Sequence, residues 1–120
     1  MSIATLLDKI KNHPDFHKAG MVLCHNGVVR GTARDGRKVK GLRVAVNHEK
    51  LEQIIREQEQ KPGIIDIRVN IVENRDLAVG EDIMHLVVAG DIRENVISVL
   101  KETLDAIKEQ VTEKTEYFTE

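Results

Sequence analysis

Apolar and polar residues follow two different periods along this chain, and the switches between them mark its elements. Ile3, Leu6, Leu7 and Ile10 recur at helical spacing behind Ser2, a helix-capping residue type, and Pro14 stops the pattern. Residues 20–29 form a β-rich run in which Gly27 marks a bulge or a close backbone approach. A polar stretch covers residues 31–38, with Asp35-Gly36 as its turn dipeptide. Residues 39–46 alternate, with Leu42, Val44 and Val46 on one face and Arg43 and Ala45 on the other. This predicts a half-buried strand that pairs with the first as a hairpin.

A second helix opens at Asn47 or His48, carries Leu51, Ile54 and Ile55, and ends at Lys61-Pro62-Gly63. Two further strands are predicted at residues 64–72 and 83–89. Gly90-Asp91 then caps the longest helix, in which Ile92, Val96, Val99, Leu100, Leu104, Ile107 and Val111 hold a stripe for about five turns. The tail, residues 112–120, is polar, with a short edge strand at Tyr117-Phe118. This order predicts a single α+β domain over residues 1–120, with helices packed on one face of a mostly antiparallel sheet.

Composition narrows the function. Phe16, Tyr117 and Phe118 are the whole aromatic set, so the core is aliphatic and no base-stacking platform can be built for nucleic acid. A net charge of −2 gives no overall pull toward nucleic acid or acidic membranes. No stretch approaches the roughly 18 apolar residues that span a bilayer, and the N-terminus lacks a signal-peptide pattern. The single cysteine, Cys24, excludes an intrachain disulfide and suits a reducing compartment, so the expected location is cytoplasmic. Its apolar neighbours Val22 and Leu23 predict a buried, inert thiol.

Candidate chemistry lies in two places. Arg30, Arg34, Arg37, Lys38, Lys40 and Arg43 put six cations within fourteen residues, opposed only by Asp35. The segment is either an anion-attracting edge or a solvated hairpin tip. Arg30 closes a strand directly after Gly27-Val28-Val29, and a rigid guanidinium suits bidentate recognition of phosphate or carboxylate. The long helix carries Arg93 in its first turn and Lys108 fifteen residues later. At 1.5 Å per residue the two are about 22 Å apart along the axis. One small substrate reaches both only in a site assembled from two chains. His13 and His17 have no third ligand beside them, and no metal site is expected.

These motifs resemble the MoaE family, the large, catalytic subunit of molybdopterin synthase. Residues 20–30, Gly-Met-Val-Leu-Cys-His-Asn-Gly-Val-Val-Arg, look like its strand ending in Phe-x-Gly-x-Val-Arg. Leu77-Ala78-Val79-Gly80-Glu81 resembles its Leu-x-Val-Gly-Glu turn, and Arg93 with Lys108 matches the spacing from its His-Arg pair to its catalytic lysine. The resemblance implies an α/β-hammerhead-like fold, a homodimer, and a ubiquitin-like small subunit whose C-terminal Gly-Gly thiocarboxylate enters the large one. It implies a sulfurtransferase of molybdenum cofactor biosynthesis that converts cyclic pyranopterin monophosphate, the pterin phosphate substrate, to molybdopterin without a metal or cofactor of its own. On this chain it implies Lys108 as a catalytic residue, with Arg30 and Arg93 binding the substrate; Arg37 and Lys38 of the basic run are the further substrate-binding candidates.

The chain departs from the family pattern at several positions. Ile92 stands where the His-Arg pair has histidine, and His25 where Phe-x-Gly has its aromatic. Thr112-Glu113-Lys114 occupies the place of a Pro-aromatic-Trp segment. The second catalytic lysine falls on Thr115, and a shift of one residue would recruit Lys114 instead. The alternative is a catalytically silent MoaE-like dimeric module that binds an anionic ligand or a partner's C-terminal tail.

Overall fold

The structure, a computed structural model, describes residues 2–119. In chain order it comprises α1 (Ile3–Lys11), β1 (Met21–Val28), β2 (Val39–Val46), α2 (His48–Glu59) and β3 (Ile64–Ile71), followed by β4 (Leu77–Ala78), β5 (Asp82–Gly90), α3 (Arg93–Gln110) and β6 (Thr112–Phe118). The α+β class holds, with all strand pairs antiparallel. The strands form two sheets rather than one, ordered β1-β5-β3 and β4-β2-β6.

Strand β5 is the centre of the first sheet and carries a continuous apolar run, the mark of a strand covered on both faces. Leu86 and Val88 pack with Ile67 and with Val96 and Val99 of α3. Val87 and Ala89, the alternate residues, pack with Leu6 and Ile10 of α1. The helices therefore sandwich this sheet instead of sharing one face of it. Sequence periodicity located each helix stripe but not the sheet face it meets. Among the described residues no helix is long and apolar enough to cross a membrane.

The expected β1–β2 hairpin does not form. β1 pairs with β5, and β2 pairs along its length with β6. The Asp35-Gly36 turn does close, with Gly36 at φ +89°, but it joins only Thr32 to Lys38. Between β1 and that turn, Val29 is buried against Leu42, Val44 and Leu77 of the second sheet. Its backbone N–H donates to Glu81 and its carbonyl accepts from Gly80. The chain thus crosses between sheets at residue 29, where an apolar side chain and two backbone bonds hold it.

The tail differs too. β6 is a full seven-residue strand whose polar residues concealed it from a pattern search, because backbone bonds to β2 rather than apolar burial define it. Cys24 is exposed, not buried: α1 covers Val22 but leaves the thiol two residues on uncovered. Partial burial still pushes that thiol above its ordinary range. At the start of α3 the N-cap is Ile92, and Asp91 accepts hydrogen bonds from the Ile92 backbone N–H and the Asn95 amide.

The two-faced burial of β5 has a direct test. Leu86→Ala, on the α3 side, and Leu6→Ala, on the α1 side, should each lower the unfolding free energy by about 2–5 kcal/mol in urea titrations. A Leu6→Ala cost within about 0.5 kcal/mol would mean that α1 is only a surface helix.

Candidate functional site

The crossing of the chain between sheets opens a cleft of about 700 Å³. Its floor is apolar, built from Leu42 and Val44 of β2, Ile83 and Met84 of β5, and Ile107 of α3. Ile83 and Met84 are sequence neighbours, and a regular strand would point them to opposite faces. The β1–β5 ladder shifts register between Gly27 and Val28, leaving Ile83 as the unpaired extra residue. The irregularity read at Gly27 as a bulge or a close approach is thus a bulge whose extra residue belongs to the partner strand β5, and it turns both Ile83 and Met84 toward the cleft.

The rim is charged. Among the described residues Arg30, Arg34, Lys108 and Lys114 stand against two lining carboxylates, Asp35 and Glu116. Arg30 follows β1, and its Nε donates to the Thr32 carbonyl at 2.7 Å, which fixes the stem of the side chain. Lys108 follows the fully buried Ile107 on α3, so packing sets where its stem begins. Among the described residues neither Arg30, Arg34 nor Lys108 has an ion-pair partner. Lys114 lies 3.9 Å from Glu116, two residues on along the same face of β6. Along β6 the alternation puts Thr112, Lys114 and Glu116 in the lining of the cleft, while Thr115 is not part of it.

Three sequence-derived candidates lie outside this wall. Arg37 stacks on the Phe118 ring at 3.8 Å and pairs with Asp35 at 2.8 Å, so its guanidinium clasps the turn to the end of β6. Lys38 bridges to Thr32, and its carbonyl accepts from Thr119 N–H. Arg93 sits at the far end of α3, in a separate hollow with Gly20, Met21 and Asp91, and pairs with Glu94 at 3.4 Å. Within one chain Arg93 does not reach the cleft of Lys108.

Sequence reasoning missed Arg34 as a specific wall residue, together with His25, Asp35 and Glu116. Arg34 lay within the basic run, but only the turn geometry separates it from Arg37. His25 is two residues before Gly27 on the same strand face, a relation that alternation could have exposed. Burial, and secondarily the charge of Lys108, hold the His25 imidazole below its usual range. Asp35 is held below the usual carboxylate range by the backbone and side-chain hydrogen bonds from Arg37. No group of three or more His, Cys, Asp or Glu side chains among the described residues is placed to hold a metal ion.

A cationic rim over an apolar floor, fed by a strand end and a helix end, defines an α+β protein with a cleft suited to an anionic ligand that carries an apolar or ring portion. The family model described as MoaE protein matches residues 1–110, and the chain belongs to that family. Solved structures share the fold. A molybdopterin synthase from Staphylococcus aureus superposes with a TM-score of 0.73 at 24% identity, covering 86% of this chain and 77% of that one. Molybdopterin cofactor biosynthesis protein E from Burkholderia multivorans gives 0.77 at 18% identity, covering 99% and 86%. A Helicobacter pylori complex of subunits 1 and 2 of molybdopterin-converting factor gives 0.71 at 14% identity, covering 100% and 85%. No curated protein matches the sequence.

The Arg37 clasp makes a pH-dependent prediction. In Arg37→Ala the Asp35 carboxyl should titrate higher, read by carboxyl carbon NMR. Because the folded value is depressed, its stabilisation is present above the unfolded carboxylate range and fades as pH falls through the folded value. Any stability difference between the two proteins that arises from Asp35 should therefore close at low pH.

Proposed function

We propose that this chain acts in molybdenum cofactor biosynthesis as the large subunit of a molybdopterin synthase. In this reading it transfers sulfur from the thiocarboxylated C-terminus of a small ubiquitin-like partner to a pyranopterin monophosphate. Membership of the MoaE family supports the pathway. The observation that carries the reaction is the convergence of Arg30, Lys108 and Lys114, from three different elements, on one cleft.

The residues divide the work by chemistry. Arg30 and Arg34 offer planar, multiply donating guanidinium groups that suit a phosphate monoester. The apolar floor of Leu42, Val44 and Met84 accepts the faces of a flat heterocycle. Lys108 offsets the negative charge of a thiocarboxylate as its sulfur approaches an electrophilic carbon, a preorganised charge that needs no rearrangement during reaction. Lys114 takes the place of a second lysine, because it and not Thr115 faces the cleft.

The small partner is supported by the Helicobacter pylori structure, a complex of subunits 1 and 2 of that protein's own factor. A homodimer is the arrangement in which Arg93, about 22 Å along α3 from Lys108, serves a cleft at all: that of a second chain. The alternative of a silent binding module has the departures at Ile92 and Thr115 in its favour, and Lys114 at the cleft against it.

Incubation of the protein with a thiocarboxylated small subunit and cyclic pyranopterin monophosphate should yield molybdopterin. Lys108→Ala should reduce that rate by about 10²-fold or more while leaving the complex with the small subunit intact. Complex formation without product in the unaltered protein would establish the silent module instead.

A further inference from the structure

Among the described residues His25 is the only imidazole that lines the cleft. Its Nε2 stands 3.5 Å from the point where a side chain on Gly27 would begin, so the ring lies along the strand beside that glycine. Lys108 faces the ring's surroundings from α3, and Arg30, Arg34 and Asp35 do so from the β1–β2 connection. β6 contributes Lys114 and Glu116, whereas β5 and β2 contribute only Ile83, Met84, Leu42 and Val44.

These groups differ in what they can do with a proton. Guanidinium and ammonium groups only donate hydrogen bonds, and a guanidinium does not release its proton in a protein. Asp35 is committed to Arg37, and Glu116 lies beside Lys114. The Thr32 and Thr112 hydroxyls accept and donate hydrogen bonds without titrating, so of the groups lining the cleft an imidazole is the one suited to taking up and releasing a proton near neutral pH.

We infer that His25 is the proton-handling group of the cleft, neutral when the cleft is empty and protonated when Arg30 and Lys108 hold a dianionic phosphate monoester. The inference rests on the reading of the cleft as a pterin-phosphate site. The proton is taken from solvent onto a ring nitrogen, and no other bond changes. Burial and the Lys108 charge favour the neutral ring in the empty cleft. A bound dianion offsets the Lys108 charge and attracts the imidazolium, which then stands as a proton donor to an oxygen of the ligand.

Linkage fixes the sign. If the dianion raises the affinity of His25 for a proton, the proton raises the affinity for the dianion by the same factor. Binding is then level above the ligand-bound midpoint of His25. It tightens as pH falls from there to the ligand-free midpoint, and is level again below that.

Sulfate is the probe, since it stays a dianion throughout that range. Calorimetry on the full chain should give sulfate affinity on the order of tenfold higher at about pH 5.5 than at about pH 8. In His25→Gln the two affinities should agree. Nitrogen-15 spectra of the unaltered protein should show the His25 ring moving to its charged form as sulfate saturates, and they decide the matter if His25→Gln fails to fold. Retention of the pH dependence in His25→Gln, an unchanged His25 ring in the sulfate-bound protein, or no saturable sulfate binding would each overturn the inference. The synthase assay separates the two readings: product without linkage keeps the synthase and removes this role for His25, and linkage without product does the opposite.

Discussion

Burial of β5 on both faces is the constraint on which the other layers depend. Leu86 and Val88 face α3 while Val87 and Ala89 face α1, all four without measurable exposure. Fully burying a Val or Leu side chain contributes roughly 1.5–3 kcal/mol, so this one strand ties both helical layers together with a large share of the available apolar surface. With β1 and β3 fixed on either side of it, the exit of β1 and the start of α3 have little freedom. Those two points lead to Arg30 and, at the other end of the helix, to Lys108.

The second sheet is held differently. Its strands carry fewer apolar residues, and β6 is joined to β2 chiefly by backbone hydrogen bonds. Polar side chains of β6 are therefore free to face the cleft instead of being consumed by packing. Arg43 and Tyr117 both bond to Asp76, and Arg37 stacks on Phe118, so the edges of this sheet are fastened by polar and cation–π contacts. The cleft thus lies where a rigid aliphatic layer meets a layer with polar side chains to spare. A cluster of like charges there is unfavourable by itself, and an anionic ligand relieves it.

How much was legible in the sequence follows from what periodicity encodes. The helices, the strands of the first sheet and the α+β class were readable because apolar spacing reports burial directly. Strand partners were not, since alternation in β1 and β2 fits pairing with each other as well as with β5 and β6. The full length of β6 escaped because an edge strand of Thr, Glu and Lys carries no apolar signal. At the site, Arg30 and Lys108 were readable from their places after a strand and on a long helix. Arg37 and Arg34 were not separable, because a single turn residue decides which one meets Phe118 and which one meets the cleft. Arg93 was rightly kept apart from Lys108 by the rise of a helix alone.

The bulge at Ile83 gives the chain a property that no single contact describes. It changes the parity of β5, so residues on its two sides obey opposite odd–even rules. Insertions and deletions near it are consequently not equivalent. A change of one residue between 83 and 86 would exchange the α1-facing and α3-facing sets wholesale, or else erase the parity change and turn Ile83 from the cleft. A change of two preserves the assignment of every side chain to its layer. Variation in length along this strand is in that sense quantised, and the spacing from Ile83 to Leu86 acts as a reading frame for the core.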